Sequence, residues 1–133
     1  MNHDAIKDGV CQCLAVVLEI DAATIKTEDK IINDLGADSL DLLDLIFQLE
    51  RHFGLRIKPR DLERRAQEAL GNIPLEVEGV YTPKALEQLR RSMPEVPPEE
   101  MADGLRMSRL PYLFRVQTFI NLVERLTLEQ KPA

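Results

Sequence analysis

The octet Asp34-Leu-Gly-Ala-Asp38-Ser39-Leu-Asp41, with Leu42 to Phe53 behind it, decides how this chain reads. It sets a glycine-containing loop in front of a helix. Asp38 is placed to cap that helix, and Asp41 stands three residues on, where it completes a capping box. At about 100° per residue, Leu42, Leu45, Ile46, Leu49 and Phe53 form one stripe suited to a core. Leu40, Leu43 and Phe47 form a second apolar stripe on another side, with Asp41, Asp44 and Gln48 between and opposite. Gly54 stands where the helix should end. Two apolar stripes have two readings: the helix is central in a small bundle, or the second stripe faces a partner or a ligand cavity.

Ser39 is the first residue of this predicted helix. A hydroxyl there is exposed to another enzyme, and the N–H groups and positive helix end can accommodate a phosphate placed on it. The plain meaning of a serine at a helix start is capping.

Outward from this segment the pattern stays helical. Ile6, Val10, Cys13 or Leu14, and Val17 give a helix over 4–19, with Asp4 as its cap. A long loop, 21–38, carries Ile25, Ile31, Ile32 and Leu35 as apolar pins. Beyond Lys58 a charged amphipathic helix is expected over 59–70, with Leu62, Ala66 and Leu70 on one side and Gly71 as its stop. Residues 73–81 read as irregular or briefly extended, because Pro74 and Gly79 oppose a long strand. Thr82-Pro83 opens a further helix to about Ser92. The three prolines and the acids of 94–103 read as a linker with at most one turn from Pro98. A last helix runs from Phe114 or Arg115 to Leu128, burying Val116, Phe119, Ile120, Val123 and Leu126, and the tail from Glu129 is expected to fray. The fold class is all-α.

With 133 residues, 44% hydrophobic and 30% charged, the chain suits one globular domain and is too apolar for a disordered one. The net charge of −6 argues against general nucleic-acid binding, which needs clustered bases. All of it lies in residues 1–57, with 11 acids and five bases; residues 58–133 hold 12 of each. The first part is therefore suited to a basic partner. The apolar run 13–18 is too short to span a bilayer, and nothing at the N-terminus reads as a secretory signal. A cytoplasmic protein is expected.

Catalytic signals are absent. No phosphate-binding glycine loop occurs, His52 lies 13 residues from Ser39 with no geometry for a base, and His3 and His52 lack metal-ligand spacing. Asp41 and Asp44 read as a solvated acidic face rather than an acid–base pair. Cys11 and Cys13, on opposite sides of a helix, cannot form an unstrained bridge and read as small core residues.

Residues 31–57 resemble the acyl carrier protein family. Asp34-Leu-Gly-Ala-Asp-Ser39-Leu-Asp41 matches its modification motif, and Leu42 to Phe53, including Leu49-Glu50, follows its second helix. The apolar spacing of the first helix and of 115–126 fits the family's outer helices. The resemblance implies an enlarged, specialised member: a four-helix bundle with a helical insertion, residues 58–108, inside a single domain of residues 1–133. It implies a non-catalytic carrier whose Ser39 receives 4′-phosphopantetheine from coenzyme A through a phosphopantetheinyl transferase, the arm's thiol then holding acyl groups as thioesters. Asp38 matches the position that presents the serine. Leu40, Asp41, Asp44, Phe47 and Glu50 match positions offered to basic patches on partners such as a ketosynthase or acyltransferase. Fatty-acid, polyketide or specialised lipid synthesis is implied, with the chain as a monomer.

Two features depart from the family. Arg51 and His52 stand where acids often continue the second helix. Residues 58–108 replace a short third helix and linker, for which part of 59–70 or the stretch 108–111 stands in. That insertion reads either as a helical pair widening the bundle or as a specificity element. Alternatives to the carrier reading are an aminoacyl or peptidyl carrier of a nonribosomal pathway, an unmodified helical adaptor, and, remotely, a hydrolase using Ser39.

Overall fold

The computed structural model describes residues 2–58 and 61–130, and of Leu62 the backbone alone. Pro59, where the charged helix was expected to begin, the end of the tail at 131–133, and the apolar placement of Leu62 lie outside the described residues. The chain is mostly helical, with one very short hairpin, as expected for an acyl-carrier-type bundle with extra helices. It divides into two compact units, Met1–Ile57 with Phe114–Ala133, and Lys58–Leu113.

The first unit contains α1 (His3–Leu18), α2 (Ser39–Phe53) and the last helix, here α5 (Val116–Glu129). α1 packs against both α2 and α5. Ile6, Val10, Cys13 and Leu14 of α1, Leu45 and Leu49 of α2, and Val116, Phe119, Ile120, Val123 and Leu126 of α5 form one buried cluster. Leu42, Ile46 and Phe53 pack partly buried against it, so the stripe read as core is core.

The cap of α1 differs from expectation. Asn2, not Asp4, is the N-cap, and its side chain accepts from the Ala5 N–H at 2.8 Å. Asp4 falls instead in the first turn, where a carboxylate still meets the positive helix end. Of the four pins expected in the loop to α2, Ile25 and Ile31 are buried and Leu35 is packed on the cluster, while Ile32 is half-buried and outside it. A 3-10 turn, Ala22–Thr24, is capped by Asp21.

That loop also caps α5. The first N–H groups of a helix lack partners within it. Here Val116 N–H donates to the Asp29 carbonyl at 3.0 Å and Gln117 N–H to that of Thr27 at 2.9 Å, while Ile31 N–H donates to Phe114 at 3.0 Å. The loop before α2 is thus stitched along the start of α5 (residues 114–117). At the other end, the Gln130 amide brackets Arg56, accepting its N–H at 2.9 Å and donating to its carbonyl at 2.8 Å.

The second unit contains α3 (Asp61–Leu70), a hairpin of β1 (Glu76–Val77) and β2 (Val80–Tyr81), and α4 (Pro83–Ser92). α3 and α4 pack together. Glu78 and Gly79 both take positive φ, 51° and 81°, the twist that a two-residue hairpin turn requires. The Thr82 hydroxyl caps α4 by accepting from Ala85 N–H, with Pro83 at its first position, as expected.

Residues 94–103 are not a loose linker. Met93, Val96 and Met101 are buried, and the Arg90 guanidinium donates twice to the Met101 carbonyl, at 2.7 and 3.1 Å. The single turn from Pro98 is present as a 3-10 helix, Pro98–Met101. Composition misleads here because two apolar residues among the prolines and acids, Val96 and Met101, suffice to anchor the segment. Both segments considered for the family's third helix fall in this unit, as α3 and as the 3-10 helix Met107–Leu113.

Candidate functional site

Five residues before α2, Asp34 lies in the turn that leads to the helix start. Its carboxylate accepts from Lys30 N–H at 2.8 Å, while Gly36 N–H and Ala37 N–H donate to Ile32 and Ile31. Gly36 has φ +80° and open space where a Cβ would stand, so glycine is needed for the backbone angle rather than for room. Ala37 is buried and anchors the turn.

The capping box then closes. Asp38 Oδ1 accepts from Asp41 N–H at 2.9 Å, and Asp41 Oδ2 accepts from Asp38 N–H at 3.0 Å. These two carboxylates do the capping that a serine often does. Ser39, first in the helix and exposed, therefore keeps its hydroxyl outside the cap. The N-terminal positive end of α2 lies beside it, and neighbouring Leu40 is 74% exposed.

The second apolar stripe is on the surface. Leu40, Leu43 at 45% and Phe47 at 52% are exposed together along α2. Of the two readings left open by the sequence, a helix enclosed on all sides fails, and an outward apolar face stands. Asp44 is exposed beside this stripe, Asp38 is exposed at its head, and Asp41 is half-buried by its capping role. Glu50 is placed differently. It is half-buried, and its Oε2 accepts from Ile57 N–H at 2.9 Å, tying the chain beyond α2 back onto the helix. Only the fold discloses that bond, since nothing local announces it.

His52 also has a structural contact. It lies edge-on to Phe53 with centroids 4.7 Å apart, and both rings crowd Gly9 of α1. Cys11 and Cys13 are buried and unbridged, and burial pushes both thiols up, Cys13 to about 11. Among the described residues no cluster of three potential ligands could hold a metal ion, and no helix is long and apolar enough to cross a membrane.

An exposed hydroxyl at a helix start, free of the cap and with open surface around it, fits a phosphodiester-linked group. Residues 8–67 match the family model described as "Phosphopantetheine attachment site". The chain is 44% identical over 68 residues to the acyl carrier protein AcpXL of Rhizobium meliloti, covering 51% of this chain and 68% of that protein. It is 47% identical over 63 residues to the acyl carrier protein of Thermotoga maritima, covering 47% of this chain and 78% of that protein. With that of Campylobacter jejuni subsp. doylei it shares 49% over 57 residues, 43% of this chain and 74% of the relative. An outward apolar stripe beside a capped, exposed serine is thus found in a chain that belongs to the acyl carrier protein family, whose prosthetic group is 4′-phosphopantetheine.

Proposed function

We propose that this chain is a non-catalytic carrier in fatty-acid, polyketide or specialised lipid synthesis, with Ser39 as the point of attachment. The observation that carries this is the division of labour at the start of α2: Asp38 and Asp41 cap the helix, and Ser39 is left exposed. When bound, the arm supplies a thiol that holds an acyl group as a thioester. What the chain itself does is hold the hydroxyl in an open, rigid position and offer a surface beside it.

On attachment, Ser39 Oγ bonds to the phosphorus next to pantetheine, the pyrophosphate bond of coenzyme A breaks, and the adenosine bisphosphate leaves. The hydroxyl proton passes to a base of the phosphopantetheinyl transferase. Asp38 holds the backbone that presents Ser39. Leu40, Leu43 and Phe47, with Asp41, Asp44 and the outer part of Glu50, form the face offered to the transferase and to acyl-loading and acyl-using enzymes such as a ketosynthase or acyltransferase. Charge speeds the encounter, while exposed pairs of small energy allow quick release, which a shuttle needs. The whole chain acts as a monomeric cytoplasmic carrier domain, with residues 58–108 as an insertion within it.

The test is an intact mass of the purified chain before and after incubation with coenzyme A, magnesium and a broad-specificity transferase. One added phosphopantetheine, absent in Ser39→Ala, is expected. If the source organism's own transferase also adds no mass to the well-folded chain, the unmodified adaptor replaces this reading.

A further inference from the structure

α2 is polarised along its exposed side. The acids Asp38, Asp41 and Asp44 lie in and before its first two turns, and the bases Arg51 and His52 in its last. Of these bases only one belongs to the apolar face. His52 projects about 120° around the helix from Leu40, and its ring rests against Gly9. Arg51 projects about 20° from Leu40 and stands one turn beyond Phe47, on the same side as Leu40, Phe47 and Asp44.

Asp44 and Arg51 are both exposed. Among the described residues neither has an ion-pair or hydrogen-bond partner, in contrast to Arg64, Arg91 and Lys84, which are all paired along their own helices. They are seven residues apart, about 10 Å along the axis, too far to neutralise each other. The exposed apolar stripe therefore has an anion without a side-chain partner along its flank, between Leu43 and Phe47, and a cation without one beyond its end at Phe47. A base in the last turn complements the helix dipole wherever it sits around the helix. That alone gives no reason for it to lie on the apolar face.

We infer that the enzyme seating this helix presents an apolar recess flanked by two opposite charges, a base toward Asp44 and a carboxylate toward Arg51. Such a seat accepts α2 in one direction only, because the reversed helix sets like charges together. A uniformly basic seat meets Arg51 with repulsion, so the cation also excludes enzymes built for a wholly acidic helix. The occupant to which this commits is the source organism's own phosphopantetheinyl transferase, the one enzyme that has to engage the surface beside Ser39. The inference rests on the docking role of α2 proposed above.

Loading of the full chain by that transferase, with coenzyme A and magnesium, tests it through KM and kcat. Arg51→Glu is expected to raise KM about tenfold at low salt with kcat unchanged, Arg51→Lys to stay within about twofold of wild type, and Asp44→Lys to raise KM as well. The penalty of Arg51→Glu should shrink as salt is added. Urea unfolding checks that the variants fold, and Arg51→Gln, with about half the effect, replaces Arg51→Glu if that chain does not. Unchanged or lowered KM in Arg51→Glu, with raised KM in Asp44→Lys, overturns the two-charge seat and leaves the docking role of α2 standing. Unchanged KM in both variants overturns the docking role itself. A lowered urea midpoint with unchanged KM assigns Arg51 to the helix dipole alone and overturns the inference.

Discussion

Gly9 of α1 lies against the ring of Phe53 in α2: a methyl group on residue 9 would run into Phe53 Cζ and stand 2.8 Å from His52 Nε2. Glycine in mid-helix costs about 1 kcal/mol relative to alanine, so the position is retained against propensity because two helices meet there. Gly9→Val forces the rings aside and adds a β-branched residue to the helix. It is expected to lower unfolding free energy by about 2 kcal/mol, read from the urea midpoint, with the helical signal retained.

The reciprocal bonds of Asp38 and Asp41 predict a separation of stability from modification. Asp38→Ala removes the acceptor for Asp41 N–H and should cost about 1 kcal/mol. Ser39→Ala removes a hydroxyl outside the cap and should change stability by less than about 0.5 kcal/mol. Equal thermal transitions of wild type and Ser39→Ala, with loading lost only in the variant, are the expected pair of results.

Buried thiols give a third expectation. Burial raises both, Cys13 to about 11, so the native chain lacking the arm should react with a thiol reagent at pH 8 only as fast as it opens. Any fast thiol of the native loaded chain then belongs to the arm. The unfolded chain loses the Cys13 proton near its ordinary value of 9.0 while the folded chain keeps it. The stability this group contributes is complete below pH 9 and is lost as pH rises toward about 11. A urea midpoint that falls across that window, less so in Cys13→Ala, checks the sign.

The sequence was most informative where structure is decided within a few residues. The capping box of α2, the Gly54 stop, the Thr82-Pro83 start and the two stripes of α2 depend on spacing alone, and all are found. Asn2 displaced Asp4 as the α1 cap because both can accept a backbone N–H, and the choice between them depends on where the first turn closes. The bracket of Gln130 on Arg56 joins residues 74 apart, and the bond from Ile57 N–H to Glu50 forms only once the chain turns back after α2. Neither has a local signature. The loop carbonyls of Thr27 and Asp29 that satisfy the start of α5 are equally invisible, since any residue type can supply them.

In the second unit, Asp61 is buried at the start of α3 between two arginines. It accepts from Arg64 at 2.6 Å and from Arg65 at 2.7 Å. Burial pulls its carboxyl up, but the hydrogen bonds and charges of Arg65 and Arg64 outweigh that and hold it below the ordinary range. The contribution is therefore present above the unfolded value near 3.8 and is lost as pH falls below it. Asp61→Asn should cost about 1–2 kcal/mol at pH 7 and progressively less in acid. Amide exchange within α3, compared at pH 7 and at a pH well below 3.8, is the suitable probe.

Phe47 offers the sharpest division between fold and function. About half exposed, it adds little to the core, so Phe47→Ala should change stability by less than about 0.5 kcal/mol, unlike Leu49→Ala on the buried stripe, which should cost about 2–4 kcal/mol. If the outward stripe is the docking face, Phe47→Ala nevertheless removes an aromatic anchor from an interface, and the few anchors of an interface are the residues whose truncation costs more than about 1 kcal/mol. Loading kinetics should therefore show KM raised by about fivefold or more with kcat near wild type, in a chain whose urea curve overlays the parent. A Phe47→Ala chain that is loaded with parental KM shows that the exposed stripe does not contact the transferase. One that is destabilised as severely as Leu49→Ala shows that residue 47 is buried in solution, contrary to its exposure here.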